Sequence, residues 1–186
     1  MSKYLVRSVF LKSPFQYIAL LLCCLFPATI FAQNWSKVHK ADDAKWAKAT
    51  GLDIFTVHKL WRDSLRDPDE KDDPSRIANL DLDGLAVRHD VLLATFTGER
   101  NCLTITVFRR LSETKFSKEW SVTQTPDGAG FCDNQYGTAA TDASDGVVFV
   151  RVPKSVTDGA ITYTVYAYEW NGITYRFAGQ KDEQRD

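Results

Sequence analysis

The sequence has no excess of charge of either sign, because 23 Lys+Arg residues stand against 24 Asp+Glu residues. A protein that binds nucleic acid through its phosphates needs a surplus of basic side chains, so the composition argues against that class. The hydrophobic content of 44% is that of an ordinary globular protein, and it argues against a disordered or collagen-like chain.

Several catalytic motifs are also missing. The sequence contains no CxxC, no HExxH and no GxSxG, which argues against dithiol redox enzymes, zinc proteases of that type and nucleophile-elbow hydrolases. Ser112 and Lys115 fit the SxxK motif of serine acyl-transfer enzymes, but no Ser-Asp-Asn or Lys-Thr-Gly motif follows them. No catalytic residue is therefore identified by a motif.

A long hydrophobic run occurs only at the N-terminus. Residues 1–32 contain three basic residues and no acidic one, with an apolar run from Phe15 to Phe26 and a small residue, Ala32, at the end. This order is typical of a secretory signal peptide and predicts cleavage after Ala32. The alternative is an uncleaved anchor helix, because the 18 residues that end at Ala32 are just enough to span a bilayer. We expect cleavage, since Pro27 ends the apolar run early.

Cleavage would leave residues 33–186, with a net charge of −4, in a secreted or periplasmic protein. Of the four cysteines, only Cys102 and Cys132 belong to that part of the chain. Two cysteines in an exported protein are typical of one disulfide bond, which we predict here. The alternative is a redox-active or nucleophilic thiol, but neither cysteine has a histidine near it in the sequence.

The first part of the mature chain has the hydrophobic pattern of helices. Asp42 is predicted to cap a helix that ends at Gly51, and Asp53 is predicted to cap a second helix. The apolar residues of the second helix share one face: Ile54, Val57, Trp61 and Leu65. A charged linker with two prolines follows, so residues 33–75 are predicted to be a helical segment and a linker.

The two helices also resemble a helix-turn-helix motif, because Ala47, Gly51 and Val57 have its spacing. Asp53, however, places an acidic side chain where phosphates would approach, and an exported protein does not meet a genome. We therefore interpret the pattern as two packed helices and expect no nucleic-acid partner.

From Arg76 onward the pattern changes to the alternation of β-strands. Strands are predicted near five segments: 76–82, 90–97, 103–107, 115–124 and 136–143. With the hairpin signals described below, the pattern predicts a mainly β domain over residues 76–179, an antiparallel sandwich or barrel-like sheet of seven or eight short strands. An N-terminal helical segment would pack on it and a polar tail, 180–186, would follow; the alternative class is α+β.

Two dipeptides, Asp145-Gly146 and Asn171-Gly172, are typical of tight hairpin turns, and they predict which residues lie opposite each other. The first turn would pair Ala143 with Val148, and the second would pair Tyr168 with Tyr175. The second hairpin would carry its aromatic side chains on one face: Tyr166, Tyr168, Trp170, Tyr175 and Phe177. We interpret this face as core, since a sheet must bury one face; the alternative is a surface that binds sugars, bases or a protein.

An acidic segment is the candidate metal site. Asn79, Asp81 and Asp83 alternate along a strand end, so their oxygen atoms would face the same side, as ligands of Ca²⁺ do. The run from Asp81 to Gly84, Asp-Leu-Asp-Gly, resembles the calcium loops of integrin-type FG-GAP repeats, and this resemblance implies calcium binding. His89 stands where that family has its final acidic ligand. The alternatives are a polar strand end, or a small hydrolase that uses Asp81, Asp83 and His89.

The glycine-rich segment 125–134, which we call the candidate loop, is the predicted binding surface. The predicted disulfide would hold it to Cys102, and loops on a rigid scaffold often carry recognition. Its polar residues Asp127, Asp133 and Asn134 are the predicted binding residues. The sequence therefore favours an exported, disulfide-bearing module that binds a protein or an envelope component. A calcium-binding structural module and the small hydrolase are the alternatives.

Overall fold

The computed structural model describes residues 37–65, 76–98 and 100–185. The predicted signal peptide and the charged linker after residue 65 lie outside the described residues. The described chain forms two helices, eight strands and a 3-10 turn over Ala86–Arg88. The helices and strands are α1 (Lys37–Thr50), α2 (Ile54–Ser64), β1 (Arg76–Asp81), β2 (Asp90–Thr97), β3 (Cys102–Arg110), β4 (Phe116–Val122), β5 (Ala140–Ser144), β6 (Val147–Thr157), β7 (Ala160–Trp170) and β8 (Tyr175–Arg185).

The strands form two antiparallel four-stranded sheets. Sheet 1 has the order β1-β2-β3-β4, and sheet 2 has the order β5-β6-β7-β8. Within each sheet the strands pair in sequence order, and within the described ranges neither sheet closes into a barrel. The predicted mainly β fold with an N-terminal helical segment is therefore confirmed, and the architecture is compatible with the sandwich.

Sheet 1 has a hydrophobic core on each of its faces. The core between the sheets includes Leu92, Leu103, Ile105, Phe131, Val148, Val150, Tyr168 and Tyr175. The core under the helices includes Val57, Leu60, Trp61, Ile77, Leu80, Val91, Leu93 and Phe108. Because both faces of β3 are covered, the hydroxyl-bearing residues that alternate with its apolar ones, Thr104 and Thr106, are buried as well.

The turn between the helices has the predicted form. Gly51 ends α1 with a φ of 73°, a left-handed conformation that glycine adopts without strain. Asp53 caps α2: its Oδ1 accepts hydrogen bonds from the backbone N–H groups of Phe55 (3.0 Å) and Thr56 (2.9 Å). The capping signal of Asp53 in the sequence is therefore confirmed.

The open edge of β1 is covered by α1. The prediction that Asp42 caps this helix is wrong, because Asp42 lies inside α1. Its carboxylate instead accepts a hydrogen bond from the backbone N–H of Ile77 (2.7 Å), and the indole N–H of Trp46 donates to the carbonyl of Ile77 (3.2 Å). An edge strand leaves such backbone groups unpaired, so the helix supplies the partners that a further strand would give.

The turn at Asp145-Gly146 has the predicted register. Ala143 lies opposite Val148, and the two central residues have positive φ values of 52° and 80°. A second Asp-Gly pair, at residues 158 and 159, forms a turn of the same length between β6 and β7. The sequence signal for a two-residue hairpin turn is therefore also present at residues 158 and 159.

The turn at Asn171 has a different register from the predicted one. Tyr175 pairs with Trp170 rather than with Tyr168, so the loop is four residues long instead of two. The side-chain oxygen of Asn171 accepts hydrogen bonds from the backbone N–H groups two and three residues later, both at 3.0 Å, and these bonds stabilise the wider loop. Because the register shifts by two residues, the aromatic side chains keep the same face. Tyr168 and Tyr175 lie in the core, as predicted.

Strand β8 includes residues 180–185, which the sequence predicted to be a polar tail. The carboxylate of Asp182 accepts hydrogen bonds from the ammonium group of Lys154 on β6 (2.6 Å) and from the hydroxyl of Thr164 on β7 (3.1 Å). This end of the sheet is joined by polar side chains, so the sequence there has no apolar alternation to indicate a strand.

Candidate functional site

The predicted calcium residues lie in a backbone turn. Oδ1 of Asp81 accepts hydrogen bonds from the N–H groups of Asp83 and Gly84, both at 2.8 Å. The side-chain amide of Asn79 donates to the carbonyl of Thr141 in sheet 2 (3.0 Å). Among the described residues, no group of three or more His, Cys, Asp or Glu side chains is placed to hold a metal ion. Calcium binding by Asn79, Asp81 and Asp83 stays a prediction.

The structure explains why residue 84 is a glycine. A Cβ atom at this position would lie 2.3 Å from the carbonyl oxygen of Ala143, which is far too close. The carbonyl of Gly84 also accepts a hydrogen bond from the N–H of Gly146 (3.1 Å). The Asp-Leu-Asp-Gly pattern thus closes a turn that brings the backbones of the two sheets together.

The residues of the predicted hydrolase do not form a hydrogen-bonded set. His89 is exposed and has a φ of 57°, and no hydrogen bond or ion pair in the described chain joins it to Asp81 or Asp83. Asp90, the next residue, has no exposed surface. His89 and Asp90 therefore have different surroundings, because His89 ends the 3-10 turn in a left-handed conformation and Asp90 begins the buried strand β2.

Asp90 belongs to a buried cluster of charged and aromatic side chains that joins the two sheets. Its Oδ2 accepts a hydrogen bond from the hydroxyl of Tyr175 (2.8 Å) and lies 3.3 Å from Nε of Arg88. Nη2 of Arg88 donates to Glu119 on β4 (3.1 Å). The guanidinium carbon of Arg88 lies 3.2 Å from the ring centroid of Trp170. The sequence did not indicate this cluster, since its members come from four separate segments.

The surroundings of this cluster change its pKa values. Burial raises the pKa of the Asp90 carboxyl, although the hydrogen bond from Tyr175 and the charge of Arg88 oppose the change. Burial, and then the hydrogen bond to Asp90, raise the pKa of Tyr175. Burial also raises the pKa of Tyr168 to about 12. Burial thus favours the protonated forms of Asp90, Tyr168 and Tyr175.

A second buried pair joins the helices. Nδ1 of His58 lies 2.8 Å from Oδ2 of Asp43, and the two side chains are 4% and 2% exposed. The imidazole also lies against Trp61, with 5.3 Å between the ring centroids. His58 is thus a packed histidine on the buried face of α2, and the sequence analysis did not predict its pairing with Asp43.

The candidate loop is fixed at its C-terminal end. Cys102 and Cys132 form the predicted disulfide bond, which joins the start of β3 to the loop. The N–H of Leu103 donates to the carbonyl of Phe131 (2.9 Å), and the Phe131 side chain is fully buried between the sheets. A covalent bond, a backbone hydrogen bond and an apolar side chain therefore all hold this end of the loop.

The three predicted binding residues have partners inside the protein. The hydroxyl of Thr125 donates to the carboxylate of Asp127 and lowers the pKa of that carboxyl. Oδ1 of Asp133 accepts a hydrogen bond from a backbone N–H six residues later (2.9 Å). The side-chain amide of Asn134 donates to the carbonyl of Pro153 (2.7 Å). These bonds shape the loop, and a binding role for the three residues stays a prediction.

A cavity of about 240 Å³ opens beside the disulfide. Its lining includes Thr97, Cys102, Thr104, Thr123, Gln124 and Gly130. Within the described ranges, every residue that lines it is uncharged. The cavity lies at the ends of β2, β3 and β4, and the candidate loop contributes one wall through Gly130. The sequence did not indicate it, because its residues meet only when the strands pair.

The outer face of sheet 2 carries a second, shallower depression. It has a volume of about 270 Å³, and Phe149, Val165 and Ala167 line it together with Gly179, Gln180 and Lys181 of β8. Arg151 lies opposite Val165 in the sheet and donates to the carboxylate of Asp142 (2.5 Å). We consider this depression a weaker candidate for a binding site. Unlike the first cavity, it is not bordered by a disulfide-bonded loop in the part of the chain that the structure describes.

No protein-family model, no curated protein and no solved structure matches this chain. In the ranges that the structure describes, neither helix is long and apolar enough to cross a membrane. The function of the chain is therefore inferred from its own residues.

Proposed function

We propose that the chain is an exported binding module, and that the candidate loop and the cavity beside it form its binding surface. The ligand would be a protein or an envelope component. The observation that carries this proposal is the wall of the cavity: a loop tethered by a disulfide borders about 240 Å³ of space lined by uncharged, mostly polar residues.

The rigidity of the loop supports a binding role. Beyond the disulfide, Thr125 exchanges hydrogen bonds with the backbone of Ala129: its N–H donates to the Ala129 carbonyl (2.7 Å), and its hydroxyl accepts from the Ala129 N–H (2.9 Å). A loop that is ordered before binding loses less conformational entropy when a ligand arrives. The free energy gained from the contacts is then available for affinity.

Two features of the chain support export. The leader has the order of a signal peptide, and disulfide bonds such as that between Cys102 and Cys132 form and persist in oxidising compartments. An exported module of this kind would meet envelope components and secreted proteins rather than cytosolic ones.

The proposal is tested with two glutamine variants of the immobilised protein. Gln124 lines the cavity and is exposed, whereas Gln135 is exposed and does not line it. We expect Gln124→Ala to reduce the capture of components from an envelope extract, and Gln135→Ala to capture as much as the native protein. Both substitutions remove an exposed amide, so their melting temperatures should agree with that of the native protein. Equal capture by all three proteins would contradict the proposal.

A further inference from the structure

Six hydroxyl-bearing residues lie together on the face of sheet 1 that also carries the helices, and we call them the hydroxyl patch. They are Thr95, Thr97, Thr104, Thr106, Ser121 and Thr123. Thr95 lies opposite Thr104 across β2 and β3, and Thr106 lies opposite Ser121 across β3 and β4. Residues two apart along a strand share a face, so the register brings the five strand residues to the same side, and Thr123 directly follows the end of β4.

The cavity lies against one end of the hydroxyl patch. Thr97, Thr104 and Thr123 belong both to the patch and to the lining of the cavity. The hydroxyl of Thr97 donates to the carbonyl of Cys102 (3.2 Å), which leaves its oxygen free to accept a hydrogen bond. The cavity therefore presents hydroxyl groups from three strands or strand ends, with the side-chain amide of Gln124 beside them.

Thr95 adds an independent observation. It lies directly opposite Thr104, is only 1% exposed, and its hydroxyl has no hydrogen-bond partner in the described chain. Buried hydroxyl groups are usually paired, because a buried group without a partner loses the hydrogen bonds it made to water. Thr95 itself does not line the cavity, and its burial shows that the hydroxyl patch extends from the cavity into the covered part of sheet 1.

We infer that the cavity binds a neutral, hydroxyl-rich small molecule about the size of a single sugar residue; this inference rests on the proposed function of the same surface. Hydroxyl and amide groups both donate and accept hydrogen bonds, as the groups of a sugar do. At roughly 30 Å³ per water molecule, the volume corresponds to about eight waters, which suits a ligand of this size.

Ligands of other classes fit the cavity less well. An anion or a cation would give up its hydration without meeting an opposite charge, because the described lining residues are uncharged. An apolar molecule would leave the hydroxyl groups of Thr104 and Thr123 without partners. The chemistry of the lining therefore selects a neutral ligand that can both donate and accept.

The inference is tested by NMR. The protein is purified in the form that the cells produce, and its threonine methyl groups are labelled with ¹³C. The neutral probes are glucose, N-acetylglucosamine and glycerol, and the charged probes are acetate and lysine. We expect the neutral probes to shift the methyl signals of Thr97, Thr104 and Thr123 saturably, while those of Thr157 and Thr164 stay in place. We expect the charged probes to shift none of them. A soluble oligomer of the sugar that binds best is titrated in parallel with the free sugar. The comparison of their affinities shows whether the ligand is a sugar residue within a glycan or a free small molecule.

Variants then assign the binding to the hydroxyl groups. Thr123→Val keeps the shape of the side chain and removes one hydroxyl, so the affinity for the best neutral probe should fall about fivefold, the loss of one neutral hydrogen bond. Thr157→Val makes the same change at the exposed end of β6 and should leave the affinity unchanged. If Thr123→Val does not fold, the exposed Gln124→Ala replaces it, with a similar loss expected.

Two results would overturn the inference: no saturable shift with any neutral probe at its highest soluble concentration, or equal shifts with acetate or lysine. The capture experiment with Gln124→Ala separates this failure from that of the proposed function. If capture depends on Gln124 and no neutral probe binds, the ligand class is wrong and the binding surface stands. If capture is independent of Gln124 and no neutral probe binds, both proposals fail.

Discussion

The hydroxyl of Tyr175 on β8 donates a hydrogen bond to the carboxylate of Asp90 on β2, at 2.8 Å, and so connects the two sheets. The two residues are 85 positions apart in the sequence, and both are buried. Asp90 also lies within ion-pair distance of Arg88, which reaches Glu119 on β4. A buried polar contact between two sheets fixes the position of one sheet against the other, because a shift would leave buried polar groups without their hydrogen-bond partners.

Removal of the Tyr175 hydroxyl should destabilise the protein. Tyr175→Phe keeps the ring in the core and leaves the buried carboxylate with one partner fewer, so we expect the free energy of unfolding to fall by about 1–3 kcal/mol. Urea denaturation measures this change. Tyr136→Phe removes the hydroxyl of an exposed tyrosine and should have almost no effect. Equal, small effects of both variants would contradict a stabilising role for the contact with Asp90.

The raised pKa of Asp90 predicts a pH dependence of stability with a definite sign. A carboxyl whose pKa is higher in the folded state than in the unfolded state favours folding in its protonated form. That contribution is complete below the unfolded pKa of about 4 and is lost as the pH rises through the folded pKa. In Asp90→Asn the group does not titrate, so this loss is absent.

The comparison of the native protein with Asp90→Asn isolates this effect. The pKa values of Asp53, Asp182 and Glu183 are lowered by hydrogen bonds, and these groups change the stability in the opposite direction in both proteins. We therefore expect the stability of the native protein, relative to the variant, to decrease as the pH is raised from about 3 towards neutrality. Urea denaturation at several pH values gives this difference. A difference that increases with pH would show that the ion pair with Arg88 outweighs the effect of burial.

Local signals in the sequence predicted local structure well. The turn at Asp145, the cap at Asp53 and the end of α1 at Gly51 each depend on residues within four positions, and each has the predicted form. The register at Asn171 was wrong, because an Asn-Gly pair does not show whether the asparagine side chain will accept from the backbone further along the loop. Asp42 was assigned to a cap, because its contact with Ile77 of another element cannot be read from a capping pattern.

The contacts between distant segments could not be predicted. Nothing near Asp90 in the sequence indicates its contact with Tyr175, which is 85 positions away. The cavity has the same origin, since Thr97 and Thr123 come together only when three strands, β2, β3 and β4, are in register. The disulfide was an exception: with two cysteines outside the predicted signal peptide, the pairing of Cys102 and Cys132 needed no knowledge of the fold.

The buried pair of Asp43 and His58 should be energetically coupled. A double-mutant cycle with Asp43→Asn and His58→Gln measures the coupling by urea denaturation. We expect a coupling energy above about 1 kcal/mol, since both side chains are almost fully buried. Lys59 and Asp63 form an exposed ion pair on α2, and the same cycle there should give no more than about 0.5 kcal/mol. Equal coupling in the two pairs would contradict a role for His58 in joining α2 to α1.

The disulfide should account for a large part of the stability. Thiol counting on the unfolded, unreduced mature protein should detect no free thiol, and two free thiols would contradict the bond. Replacement of Cys102 and Cys132 by serine should lower the free energy of unfolding by about 3–4 kcal/mol, because the bond closes a loop with a sequence separation of 30 residues. Reduction of the native protein should give a similar loss, which shows that the bond rather than the serine side chains is responsible.

The predicted binding residues of the candidate loop should differ in their effect on stability. Asp133 and Asn134 both bond to backbone groups outside their own turn, so their replacement by alanine should lower the free energy of unfolding by about 1–3 kcal/mol. Asp127 is exposed and bonds only within the loop, so Asp127→Ala should leave the melting temperature nearly unchanged. Thermal unfolding of the variants separates the two cases.

The result also decides how the loop would bind. If the Asp133→Ala/Asn134→Ala variant melts like the native protein, the hydrogen bonds of these side chains contribute nothing, and both groups are available to a ligand. If it melts lower, as we expect, the side chains shape the loop, and a weaker capture by this variant would reflect a misplaced cavity wall. Gln124→Ala distinguishes direct contact from misplacement, because it removes a cavity-lining side chain that lies outside the candidate loop. Loss of capture in Gln124→Ala at an unchanged melting temperature would therefore assign the contact to the cavity itself.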